Sequence, residues 1–117
     1  MAKTIAANAE QRKLIKSSLD NLYRIRDELM LLDMRNAKPE KFAEYNRNLY
    51  EIGLAITAFN GLLLDSINAD FAAELPGFEA ATKKLASDLY SLRRTSDVLN
   101  AVSASMATIT SMITLFK

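Results

Sequence analysis

Phe42, Tyr45, Leu49, Ile52, Ile56, Phe59 and Leu63 follow one another at alternating intervals of three and four residues. No other feature of the chain limits its fold so strongly. Such a seam keeps one apolar edge on a helix for more than five turns and requires a second helix at a shallow crossing angle to cover it. A strand would need a period of two, and no strand-like alternation of useful length occurs.

Two further segments carry the same period. Ile15, Ser18, Leu22, Ile25, Leu29 and Leu32 form one seam, widened by Leu14 and Leu19. Phe78, Ala81, Leu85, Leu92, Leu99, Val102, Met106, Ile109, Ile113 and Phe116 form the other, with Asp88 and Thr95 interrupting it. Pro39 suits the first turn of a helix, which does not need the N–H that proline lacks. Asn36 suits a helix C-terminus. Pro76 and Gly77 mark a break, with Glu74 and Glu79 suited to a helix N-terminus. The expectation is an all-α, single-domain, antiparallel up-down-up bundle of three long helices over about 6–36, 39–69 and 77–116. Its alternative is a four-helix bundle in which a long segment breaks. Gly53 and Gly61 are the places where the second helix would do so, although close helix packing accounts better for Gly61.

Composition removes several kinds of chemistry. The 117 residues include neither cysteine nor histidine, so there is no disulfide framework, no thiol nucleophile and no imidazole base or ligand. Fifteen basic residues against fourteen acidic ones give no electrostatic case for a nucleic-acid partner. The densest basic cluster, Lys83, Lys84, Arg93 and Arg94, is interleaved with Asp88 and Asp97 and reads as a solvated face. No phosphate-cradling glycine loop or metal-binding helix motif occurs. Asp88 is the one acid at a core layer, and Lys84 one turn before it is its natural ion-pair partner. The chain is therefore expected to be non-catalytic, with no cofactor and no metal. The N-terminal segment lacks the apolar core of a secretory signal, which points to a cytoplasmic protein, with leaderless secretion left open.

Val98 to Phe116 contains nineteen residues and no charge. Its length would allow a membrane span, so a membrane-inserting or tail-anchored helix over 98–116 is the second reading. Its apolar residues lie on one seam, however, with Asn100, Ser103, Thr108, Thr110, Ser111 and Thr114 mostly off it. That segregation belongs to a bundle helix.

Helix lengths then suggest where a partner would bind. A third helix of roughly 60 Å would overrun companions of roughly 46 Å. The overhang would carry Ile109, Met112, Ile113, Leu115 and Phe116 past the end of the bundle where Met30, Leu31 and Met34 lie. Methionine adapts to partner surfaces, and exposed apolar patches mark interfaces. The expected function is a small helical protein–protein interaction module, of the adaptor, inhibitor, assembly-chaperone or immunity type. Its partner would be another protein or a second copy of itself, bound through Met30, Leu31, Met34, Ile109, Met112, Ile113, Leu115 and Phe116.

Overall fold

A computed structural model describes residues 4–6, 8–61, 66–92 and 94–114, with side chains described for 8–61, 69–92 and 94–111. The fold is all-α, and the described residues form four helices rather than three. They are α1 (Ala9–Met30), α2 (Pro39–Gly61), α3 (Ala69–Ser91) and α4 (Thr95–Thr114). Two three-residue strands, β1 (Thr4–Ala6) and β2 (Ser66–Asn68), pair antiparallel with Ile5 opposite Ile67. The ribbon joins the chain just before α1 to the chain just before α3.

Local chemistry accounts for most helix ends. Asn8 caps α1: its side chain accepts from the Gln11 backbone at 2.8 Å, and the Gln11 side chain accepts from the Asn8 backbone at 2.9 Å. This reciprocal box satisfies two N–H groups that a helix start leaves open. α1 ends at Met30, well before Asn36. Beyond it, the Asp33 carboxylate accepts from the Arg35 backbone and guanidinium, which bends the chain. Met34 then turns inward and is buried, with Leu32 and Ala37 partly buried against the core. Pro39 opens α2 as its chemistry suggests, and α2 ends at Gly61.

The third expected helix is two helices. Pro76 and Gly77 lie inside α3, which starts seven residues before Pro76. The core face of Phe71, Leu75, Phe78 and Thr82 spans them, and all four side chains are buried. Tertiary packing thus outweighs a residue that costs a free helix about 3 kcal/mol. The break comes instead at 92–94, between the two seam interruptions Asp88 and Thr95. Ser91 donates its hydroxyl to the Asp88 carbonyl at the end of α3. The Arg94 carbonyl accepts from Asp97 and Val98 as α4 begins.

Hydrogen bonds fix the direction of each pair. Ser17 and Asn21 of α1 reach Glu79 and Thr82 of α3, so these neighbours run parallel. Lys41 and Glu44 of α2 meet Asn100 and Ser103 of α4, so these also run parallel. α1 with α2 and α3 with α4 are antiparallel neighbours joined by short connections. The chain therefore crosses the bundle between α2 and α3, which face each other through side chains in the centre. Phe59 stacks on Phe78 at 4.8 Å and meets Phe71 edge-on at 5.5 Å. These phenylalanines join Ile15, Leu22, Ile25, Leu75, Leu89, Leu99 and Val102 in one core.

This topology removes the overhang. Because α4 folds back, its C-terminal end lies at the α1 N-terminal end of the bundle, opposite Met30 and Leu31. Val98, Leu99, Val102, Met106 and Ile109 face the protein's own core. No helix among the described residues is long and apolar enough to cross a membrane.

Candidate interaction surface

The eight residues expected to form one patch are not brought together. Met34 and Ile109 are buried and belong to the core. Met34 plugs the bundle end beneath the 31–38 connection, and Ile109 faces inward from α4. Met112 and Ile113 lie in the last turn of α4, at the far end, and their side chains are outside the described residues; so are Leu115 and Phe116. Met30 and Leu31 are solvent-facing, 61% and 78% exposed.

Two residues outside the expected patch join them at that end. Tyr90, in the last turn of α3, is 80% exposed, and Phe42, in the first turn of α2, is 42% exposed. Four of the six exposed large apolar residues of the described chain thus sit at the end formed by the α1 C-terminus, the α2 N-terminus and the α3–α4 turn. Tyr90 had one signal in the sequence: it is a large aromatic off the seam, next to the seam-filling Leu89. Phe42 lies on the seam and looked like core. It is left partly uncovered because α2 begins beyond the last turn of α1.

An open groove of about 570 Å³ runs into this end between the parallel helices α1 and α3. Arg24, Asp27 and Glu28 line it from α1, and Lys83, Ala86, Ser87 and Tyr90 from α3. Its walls carry two positive and two negative groups, Arg24 and Lys83 with Asp27 and Glu28. Leu31 follows one turn after Asp27 and Glu28, at the mouth. Further along the same helix pair, Lys13, Ser17 and Glu79 line a second depression. There Ser17 donates to Glu79 at 2.8 Å.

Buried polar contacts set the register beneath these surfaces. The Asn21 amide donates to the Thr82 hydroxyl at 3.2 Å and to the Glu79 carbonyl at 3.3 Å. In the other parallel pair, Asn48 donates to the Leu99 carbonyl and its own oxygen accepts from Ser103. Ser103 also donates to Glu44 at 2.6 Å, and Lys41 pairs with Glu44 at 3.0 Å. The Ser103 bond, aided by Lys41 and the nearby charge of Arg47, holds the Glu44 carboxyl below its ordinary range against the opposing effect of partial burial. Such contacts make a helix pair lose hydrogen bonds when it slides by one turn.

Catalytic chemistry finds no assembled constellation among the described residues. Asp88 is exposed and bonds Lys84 at 2.9 Å, the partner its spacing indicates. No group of three potential metal-ligating side chains occurs among the described residues. Lys83, Lys84 and Arg94 are exposed, and Arg93 lies outside the described residues.

No family model matches this chain, and no curated protein or solved structure shows significant similarity to it. The reading of function rests on the residues themselves.

Proposed function

We propose that the protein is a non-catalytic helical interaction module that receives a segment of another protein at the Leu31–Tyr90 end and along the α1–α3 groove. One observation carries this: Leu31 and Tyr90, large and mostly exposed, stand at the same end of the bundle where the groove opens. A partner helix fits this surface. Its apolar anchors would cover Leu31, Met30 and Tyr90, and its polar flank would meet Arg24, Asp27, Glu28 and Lys83. Anchors of this kind supply most of the binding energy, while the charged walls set orientation and partner choice.

A photo-crosslinking side chain placed at position 31 or 90 in the cell tests this. The expected result is one discrete heavier adduct from both positions and none from position 74, on α3 near the opposite end. Leu31→Asp with Tyr90→Asp should prevent the interaction captured from a neighbouring probe at position 87, with helicity unchanged by circular dichroism. Absence of adducts at 31 and 90, or equal labelling from position 74, would contradict the proposal.

A further inference from the structure

A second surface lies on α2, away from the bundle end. Ile52, Ala55, Ile56 and Phe59 of this helix are buried, and the opposite side carries Asn46, Tyr50, Gly53, Leu54 and Thr57. Tyr50 is 66% exposed and Leu54 is 46% exposed. From Asn48 to Gly61 the sole charge in the sequence is Glu51. A solvated helix face of this length ordinarily carries several charges.

Gly53 sits in the middle of that stripe without a reason inside its own chain. Its φ is not positive, so its backbone does not require glycine. A Cβ built there meets nothing within 4 Å, so no neighbouring element of the chain approaches it. Glycine at such a position weakens the helix relative to alanine. What it leaves is a notch in the outer face, flanked by Tyr50 and Leu54. Close approach by another backbone or a large side chain is the remaining use of a helical glycine.

The charges beside the stripe identify the occupant. Arg47 and Glu51 lie one turn apart on the same flank, and neither forms an ion pair among the described residues. The acid nearest Arg47 in sequence, Glu44, is bonded by Ser103 and Lys41 and feels Arg47 only as a nearby charge. When two identical helices pair antiparallel about a two-fold axis, each flank faces its own copy. With the axis near Leu49 and Tyr50, Arg47 of each chain meets Glu51 of the other, twice over. The face is thus complementary to itself in charge, as a two-fold interface requires.

We infer that the protein self-associates into a two-fold dimer through an antiparallel α2–α2 contact centred near Leu49 and Tyr50, with Gly53 one turn from the centre. A single helix pair is a small interface, so the dimer is concentration-dependent. This surface is separate from the Leu31–Tyr90 end and does not rest on it.

Sedimentation equilibrium of the full chain from about 1 μM to about 500 μM spans the affinities of weak specific interfaces. The expected result is a reversible monomer–dimer equilibrium. Arg47→Glu and Glu51→Arg alone should each weaken it about tenfold or more, and the two together in one chain should restore it, because the exchanged charges again face their opposites. Gly53→Leu should also weaken dimerisation about tenfold or more while raising the thermal midpoint of dilute, monomeric protein. A role confined to the monomer's own fold would not produce that opposition. A monomer throughout, or a dimer indifferent to Gly53→Leu and to the charge exchange, would overturn the inference. So would self-association that is lost only on changing Leu31 and Tyr90, since the copies would then be meeting through the bundle end.

Discussion

Glu44 shows how a single side chain ties two helices together in a pH-dependent way. Ser103 and Lys41 favour its ionised form in the folded protein and are not there to do so in the unfolded chain. Its folded pKa is therefore below its unfolded one. The stability it contributes is present above the ordinary carboxylate range and is lost as pH falls through the depressed folded value. Glu44→Gln should consequently lower the urea midpoint at neutral pH, and the gap from the unaltered protein should close as pH falls from the ordinary carboxylate range through the depressed folded value. A gap independent of pH would show that the ionised form is not what Ser103 recognises. Asn21 and Asn48, the other register-setting residues, were not legible in the sequence. Hydrophobic periodicity marks where apolar side chains go, and it carries no signal for an amide that is buried because a hydroxyl or carbonyl waits for it across the interface. Ser18 is different: it occupies a seam position and is buried there, as its spacing required.

At the scale of elements, α1 and α2 were readable from their seams and from Pro39, but not to their ends: α1 stops at Met30 rather than at Asn36, and α2 at Gly61 rather than near 69. Ile15, Ser18, Leu22, Ile25 and Leu29 are all buried, and so are Ile52, Ile56 and Phe59. The third and fourth helices were misread because two signals conflict with the fold. Pro76–Gly77 has the composition of a break, and the helix continues because Phe71 and Phe78 on either side both pack on Phe59. SLRRTSD, at 91–97, has neither proline nor glycine, so no breaker residue marks the turn made there. Gly61 was expected to serve close packing; it ends α2, and a Cβ there meets nothing within 4 Å. The reading of Pro76 has a measurable consequence. It is exposed and held in a helix by its neighbours, so Pro76→Ala should raise unfolding stability by about 2 kcal/mol, the propensity gain less the freedom returned to the unfolded chain. A destabilised variant would mean that Pro76 shapes α3 rather than being tolerated by it.

The candidate surface was half legible at the scale of the molecule. Met30 and Leu31 stood out because they are apolar and off the seam, and they are exposed. Met34 did not fit the expectation, because a connection that closes a bundle end needs an apolar plug. Ile109, Met112 and Ile113 were assigned to the wrong end because the direction of α4 follows from a turn that the sequence hides. That reversal also orders everything else: it buries Val98, Leu99, Val102, Met106 and Ile109, leaves the α2 stripe on the outside and keeps Leu31 and Tyr90 clear at the other end. It can be measured directly, since the chain has no cysteine and two introduced ones will carry spin labels uniquely. Ala80 and Ala107 are both exposed, and their neighbours Ala81 and Thr108 line one small depression between α3 and α4. Electron–electron distance measurement on Ala80→Cys with Ala107→Cys should give a separation under about 20 Å, as packed antiparallel helices require. A separation of about 40 Å, the length of one continuous helix between these residues, would contradict the four-helix account.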